Sequence, residues 1–583
     1  MTKTLSKNEG LKERSRFLRG TITEGLTRVE TGAIAEDDTQ LIKFHGSYMQ
    51  DDRDLRAERA KKKLEKAYIF MVRLRIPGGV LNAEQWLAID RVAGDYANHT
   101  LRVTTRATFQ LHGIIKSNMK PALQAINAAG LNTIAACGDI NRGVMAAANP
   151  YLSRAHREAY ETALKVNAHL LPKTGAYSEI WLDGAPAPDQ SPPSEPEVEP
   201  IYGPTYLPRK FKVVFAVPPD NDVDVFAHDL GFIAIVEGGR IVGWNISVGG
   251  GMGMTHGEPN TFPRTGDVIG FCKPEDVVAV AEHIVGVQRD WGNRVDRKQA
   301  RLKYTIEAHG AKAFREEVEK RLGFKLGEAR PYAFASMGDV IGWRQGEAEA
   351  GGKSGGKSDA RKWHLTLYVE SGRIKDQPGM MLRTALREIA GLGNGIGFVL
   401  TGNQNVIISN VPAKMKAKVE AILTEQGVQI PTSSGLRRNA ISCVALPTCA
   451  LALAESERFL PELLADLEGV LDKAGLRGDD IVIRMTGCPN GCGRPYLAEI
   501  GLVGRSPGLY NLYLGAAFNG TRMNKLYAQD VDKARIVGLL EPLLIRYAKE
   551  REAGEHFGDF VIRAGVVKPT LGGNTFHADV VLV

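Results

Sequence analysis

VRLRIPGGVLNAEQWLAIDRVAG (72–94), continued as RVTTRATFQLHGI (102–114), is answered later in the chain by LTLYVESGRIKDQPGMMLRTALREIAG (365–391), continued as VLTGNQNVIISNV (399–411). Each copy reads strand, turn, amphipathic helix, strand, because alternating apolar residues give way to helical spacing and then alternate again. Setting Thr104 on Thr401 pairs Arg106 with Asn403 and Thr108 with Asn405. A marked segment follows each copy at a similar distance: INRGVMAAANP (140–150) after the first, ISCVALPTCA (441–450) after the second. Such self-similarity predicts a duplicated α+β chain with pseudo-twofold symmetry and a shared site where the halves meet.

The rest of the chain arranges itself around that repeat. Its 583 residues exceed what one hydrophobic core organises, so several domains are expected. Residues 1–66 are polar and charge-rich and are expected to form an N-terminal arm that docks a partner; within them DDRDLRAERAKKKLEKA (51–67) reads as an exposed helix, a solvated face or part of that docking arm. The repeat then sets one half at 67–147 and the other at 361–430, each followed by a larger domain, 148–345 and 431–583. APAPDQSPPSEPEVEP (185–200) reads as a surface loop, and the Gly/Ser/Lys-rich stretch 346–360 as a linker.

Composition is that of a globular protein, 43% hydrophobic and 24% charged. There is no apolar signal segment at the start and no run of 18 apolar residues, so a soluble cytoplasmic protein that does not enter a membrane is expected. The net charge of +7 is a mild excess that suits a small anion or an acidic partner, and no nucleic-acid-binding motif accompanies it. GGGMGM (249–254) lacks the strand–GxGxxG–helix setting of a dinucleotide site.

Six cysteines are too few for a disulfide framework. Cys137 and Cys272 stand alone and read as free structural thiols. Cys443 and Cys449 form a C-x5-C pair, and Cys488 and Cys492 a C-x3-C pair, so four thiolates can serve one metal centre. Zinc knuckles favour tighter spacing and redox dithiols favour C-x-x-C, whereas a four-iron cluster is ligated at the corners of a cube. Spacing alone favours the cluster and leaves zinc open.

The segments ISCVALPTC and TGCPNGCGRP (486–495) resemble, residue by residue, the signature of the siroheme-dependent sulfite and nitrite reductases, and the likeness extends over nearly the whole chain from about residue 60. The resemblance implies two ferredoxin-like halves packed together, each followed by a larger mixed α/β domain. It implies that Cys443, Cys449, Cys488 and Cys492 bind a 4Fe–4S cluster, and that Cys492 also ligates the siroheme iron. The implied reaction is the six-electron reduction of sulfite to sulfide in assimilatory sulfur metabolism. Nitrite reductases of the family tend to carry Asn where this chain has Lys212, so sulfite is the expected substrate and nitrite the alternative. With no flavin or nucleotide site of its own, the chain is expected to take electrons from an NADPH-oxidising flavoprotein carrying FAD and FMN, or alternatively from ferredoxin.

Siroheme carries eight carboxylates and sulfite is an anion, so cations are required. Read as one strand, 101–112 puts Arg102, Thr104, Arg106, Thr108, Gln110 and His112 on one face and Leu101, Val103, Thr105, Ala107, Phe109 and Leu111 on the other. Alternation alone describes a sheet with one wet face; the resemblance implies that the polar face holds siroheme, together with Arg301 and Asn490. Arg73 and Arg75 alternate in VRLRI, Lys210 and Lys212 in RKFK, and Arg301 and Lys303 in ARLKY. The resemblance carries the sulfite-binding role to Arg73, Arg142, Lys210 and Lys212.

Overall fold

A computed structural model describes residues 4–347, 361–429 and 433–583. All of the expected linker from 348 onward, and the boundary at 430–431, lie outside the described residues.

The repeat builds two five-stranded sheets, each of which borrows its last strand from the other copy. The first runs Ser47–Asp51, Tyr68–Arg73, Phe109–Ile114, Leu101–Val103 and then Arg373–Ile374 of the second copy. The second runs Gly342–Gln345, Trp363–Leu367, Val406–Val411, Gly397–Leu400 and then Val80–Asn82 of the first. The reciprocal exchange makes the pseudo-twofold axis a covalent feature of the chain. The backbone repeats in detail: Ala107 and Gln404 both have positive φ (49° and 69°), as do Gly79 and Gly372 (75° and 70°). A side chain is excluded at both glycines, since a Cβ on Gly79 would lie 2.3 Å from the Leu400 carbonyl and one on Gly372 2.3 Å from that of Val103.

Helix Ala83–Tyr96 starts at a capping box, with the Asn82 side chain accepting the Gln85 N–H and the Gln85 side chain accepting that of Asn82. It buries Trp86, Ile89, Val92 and Ala93. Trp86 stacks on Phe398 of the other half at 4.1 Å between ring centroids, a contact that adds about 1 kcal/mol to the burial itself.

The two larger domains share one topology. Met145–Ala146, Val213–Ala216 and Leu230–Glu237 run parallel and continue antiparallel through Arg240–Val248 and Asp267–Cys272. Ala440–Ser442, Ile483–Thr486 and Ile500–Ser506 are likewise parallel and continue antiparallel through Leu509–Leu514 and Lys525–Val531.

Two expectations change. The stretch 101–112 is not one strand but a hairpin: Arg102 faces Gln110, Val103 faces Phe109, and the Thr104 N–H donates to the Thr108 carbonyl across the turn. The turn at 104–108 places Ala107 in the left-handed region. The first 66 residues are not a detached arm. Leu11, Leu18, Ile22, Leu41, Ile42 and Phe44 lie in the main core, Ser47–Asp51 is an edge strand, and only Arg56–Lys61 is a helix with no buried residue. The stretch 185–200 is irregular and mostly exposed, as expected. Among the described residues, no helix is long and apolar enough to cross a membrane.

Candidate cofactor and anion site

The four paired cysteines lie on two loops of the last domain. Cys443 follows strand Ala440–Ser442, and Cys488 and Cys492 follow strand Ile483–Thr486, which is parallel and adjacent to it. Adjacent parallel strands deliver both loops to the same end of the sheet. The thiols are electrostatic neighbours: burial, and then Cys492, push up Cys443, Cys449 and Cys488, the last to about 12. Backbone donors already face these sulfurs, with the Gly487 N–H 3.3 Å from Cys443 Sγ, and the Asn490 amide nitrogen lies 3.6 Å from Cys488 Sγ. Such donors favour thiolate over thiol. No three His, Cys, Asp or Glu side chains among the described residues converge tightly enough to hold a single metal ion.

GGGMGM closes on these loops. The Met254 N–H donates to the Pro489 carbonyl at 2.8 Å, and a Cβ on Gly253 would stand 3.0 Å from the Asn490 carbonyl. Lys303 pins the loop by donating to the carbonyls of Gly251, Gly253 and Phe262. Its glycines admit neighbouring backbone, not a dinucleotide.

The cations come from the first half. Burial, then Arg301 and Arg142, push Lys210 down to about 7. Burial, then Lys210 and Arg106, push Lys212 well below the usual lysine range. Among the described residues none of Arg73, Arg106, Arg142, Lys210 and Lys212 has a carboxylate within salt-bridge distance. Arg73 Nε, Arg106 Nη1 and Arg142 Nε are buried donors without a partner. Buried charge is expensive unless paired, so this group is incomplete without an anion. The orphaned donors and the four thiols fit a polycarboxylate haem and an iron–sulfur cluster.

The other expected haem-holding residues are bonded within the protein. Arg102 donates to Glu457 at 2.8 Å and to the Ser442 carbonyl at 3.0 Å, next to Cys443. Arg301 forms a forked pair with fully buried Asp229 at 3.0 Å. Thr108 donates to the Leu74 carbonyl, and the Thr104 hydroxyl accepts the Arg106 N–H. Gln110 is buried opposite Arg102 and Arg73. His112 is buried beside Arg373, and burial, with Arg373 and Arg102, keeps it neutral. Arg75 does not share the face of Arg73; it turns to Asn167 and Ile134.

Sequence reading missed two members. Cys137, expected as a free structural thiol, accepts from Arg73 Nη1 at 2.7 Å, and buried Tyr48 is an electrostatic neighbour of the same thiol, with Arg142 and Arg73 nearby. The available signal was position: Cys137 lies five residues before Arg142, in the segment that follows the first copy.

Residues 161–326 match the nitrite and sulphite reductase 4Fe-4S domain, and residues 62–129 the nitrite/sulfite reductase ferredoxin-like half domain. The sulfite reductase (NADPH) hemoprotein beta-component of Methylobacterium nodulans is 59% identical over 576 residues, covering 98% of this chain and 93% of that protein. The chain belongs to the nitrite/sulfite reductase family. The protein of the same name from Geobacillus kaustophilus is 56% identical over 570 residues, covering 98% and 97%. The solved structure of the NirA protein of Mycobacterium tuberculosis has the same fold, with a TM-score of 0.73 and 23% identity over 96% of both chains. The family's ferredoxin-like half domain is matched in the first copy of the repeat; the second copy forms the equivalent strand-exchanged sheet.

Proposed function

We propose that this chain reduces sulfite to sulfide at a siroheme coupled to a 4Fe–4S cluster. Five cations without a carboxylate partner, beside a four-cysteine constellation, carry the reading. Cys443, Cys449, Cys488 and Cys492 would hold the cluster, and exposed Cys492 would serve the haem iron as well. Arg106 and its neighbours would meet the haem carboxylates. When bound, the two groups would pass on, one at a time, the six electrons that the donor provides. Arg73, Arg142, Lys210 and Lys212 bind the anion and stabilise the charge that develops on its oxygens. Lys210, lowered to about 7, holds and gives up a proton near neutral pH, as the release of water requires.

The donor is a flavoprotein alpha component that oxidises NADPH. The name hemoprotein beta-component on relatives covering nearly the full length supports a two-component enzyme. Six free cysteines fit the reducing cytoplasm.

The test is a visible spectrum with iron and acid-labile sulfide analysis, then turnover of sulfite and nitrite with reduced methyl viologen. About five irons per chain and a siroheme spectrum with preferred sulfite turnover are expected. Lys212→Asn should weaken sulfite turnover more than nitrite turnover. A colourless, active zinc protein would overturn the reading.

A further inference from the structure

Cys492 is the most exposed of the four cysteines. It stands between Gly491, with φ at 62°, and Gly493. Two flanking glycines leave its peptides free to rotate. Among the described residues its backbone makes one hydrogen bond: Thr105 Oγ1 donates to the Cys492 carbonyl at 2.9 Å. The donor comes from the hairpin tip of the other half.

Thr105 is itself held. Its carbonyl accepts from Arg494 Nη1 at 2.7 Å, while Arg494 Nη2 donates to the Gly402 carbonyl at 2.8 Å. Thr105 and Gly402 are equivalent when Thr104 is set on Thr401, so one guanidinium grips the same carbonyl in both copies. Arg494 Nε is bonded to Asp224. Asp224 and Arg494 are equivalent too. Both are left-handed (φ 48° and 54°), and each precedes a single 3-10 turn, Val225–Ala227 or Pro495–Leu497, leading into the third strand of its domain. A pair of equivalent residues bonded to each other lies on the pseudo-twofold axis.

We propose that Thr105 is the positioning residue for Cys492, its hydroxyl fixing the direction of the sulfur while Arg494 and Asp224 hold Thr105 on the axis. The proposal rests on the reading of Cys492 as a thiolate shared by cluster and haem, for such a sulfur must be fixed relative to two groups at once.

The test compares holoenzymes carrying Thr105→Val, of similar shape without a donor, and Thr105→Ser, which restores the hydroxyl. Iron and labile sulfide report loading; siroheme absorption and the magnetic coupling between haem and cluster report the geometry of the shared sulfur; stopped-flow reduction by methyl viologen radical reports electron arrival. Thr105→Val should load both cofactors, shift the siroheme bands, weaken the coupling and slow haem reduction roughly tenfold, the scale of one lost hydrogen bond. Thr105→Ser should return all three towards wild type. Wild-type bands, coupling and rate in fully loaded Thr105→Val overturn the proposal, as does Thr105→Ser failing to restore them. If Thr105→Val does not load siroheme, the smaller Thr105→Ala replaces it under the same two outcomes. Failure of the underlying reading is separately visible, as a wild-type enzyme without coupling or a Cys492→Ser enzyme whose coupling is unchanged.

Discussion

Replacing Asp224 by Asn should be among the most costly single-atom changes in the chain. The carboxylate is fully buried between Arg484 and Arg494, whose side chains are 1% and 5% exposed. Arg484 donates to it at 2.6 and 3.3 Å, and Arg494 Nε donates to the oxygen nearest Arg484. Burial pushes Asp224 up, but Arg484 and then Arg494 outweigh it and hold the group below the ordinary carboxylate range. Asn keeps the shape, removes the charge and turns an amide donor towards two buried cations. Removing one partner of a buried ion pair costs about 3–5 kcal/mol, a large share of the roughly 5–15 kcal/mol by which proteins are stable. Urea unfolding followed by far-ultraviolet circular dichroism should show that loss for Asp224→Asn. The triple variant Asp224→Leu, Arg484→Met, Arg494→Met should regain part of it, because an apolar cluster of similar volume has no stranded charge. Recovery should be incomplete, since Arg494 also serves the Thr105 and Gly402 carbonyls. A loss below about 1 kcal/mol for Asp224→Asn would mean that the pair behaves as a solvated one, and would refute the reasoning.

Glu457 accepts from Arg373 at 2.6 and 2.9 Å and from Arg102 at 2.8 Å; burial pushes it up, but Arg373 and Arg102 outweigh it and hold it at about 2. Its folded pKa is depressed, so a contribution of about 3 kcal/mol is present above the unfolded value and is lost as pH falls from about 4.5 to 2; Glu457→Gln should flatten that acid limb in urea midpoints measured between pH 3 and 7. Deleting residues 1–45 uncovers a core that includes Leu11, Leu18, Ile22, Leu41, Ile42 and Phe44. At about 1.5–3 kcal/mol for each such side chain, the truncated chain should lose its fold and its methyl viologen activity together, and retained activity would show the segment dispensable. In the cofactor-free protein a bound anion favours protonated Lys210, which burial, Arg301 and Arg142 push down to about 7. The affinity for sulfate, whose own charge does not change in this range, should therefore fall as pH rises above about 7, and Lys210→Gln should weaken that dependence in titration calorimetry.

The duplication was legible in the sequence because it is written as a spacing. The strand exchange was not: Val80–Asn82 pairs with Gly397–Val399 and Arg373–Ile374 with Leu101–Arg102, each far along the chain, and nothing local in a short strand names its partner. The hairpin at 101–114 was hidden because its turn, TTRAT, carries no Gly, Pro or Asn. The second copy spells the same turn as TGNQN, in ordinary turn residues, so carrying the register Thr104–Thr401 through the whole segment exposes it. The basic residues were found as a class, but a sequence does not say which arginine meets a carboxylate of its own chain. Arg102 and Arg301 do, and Arg106 does not. The role of Thr105 went unseen because alternation assigned it to the apolar face.

The equivalences across the axis explain how one duplicated fold came to hold two unlike chemistries. Stepping back two residues from the equivalent pair Asp224 and Arg494 reaches Asp222 in the first half and Cys492 in the second. The same backbone position thus carries a thiol in one half and a carboxyl in the other; burial raises that carboxyl to about 8, and its Oδ2 accepts the Ala148 N–H at 2.7 Å. In the hairpins the asymmetry runs the other way. Arg106 of the first half leaves an orphaned donor, whereas its mate Asn403 is spent on Asp339 and the Met337 carbonyl. One half therefore carries the paired cysteines and the other the cations that lack a carboxylate partner among the described residues. What joins them is the contact between the equivalent residues themselves, Asp224 on Arg494, with both hairpin tips in the grip of a single guanidinium. A change that loosens that contact should disturb both functions at once, whereas a change to a pair that lies within one half, such as Asp229 with Arg301, should be felt mainly on its own side.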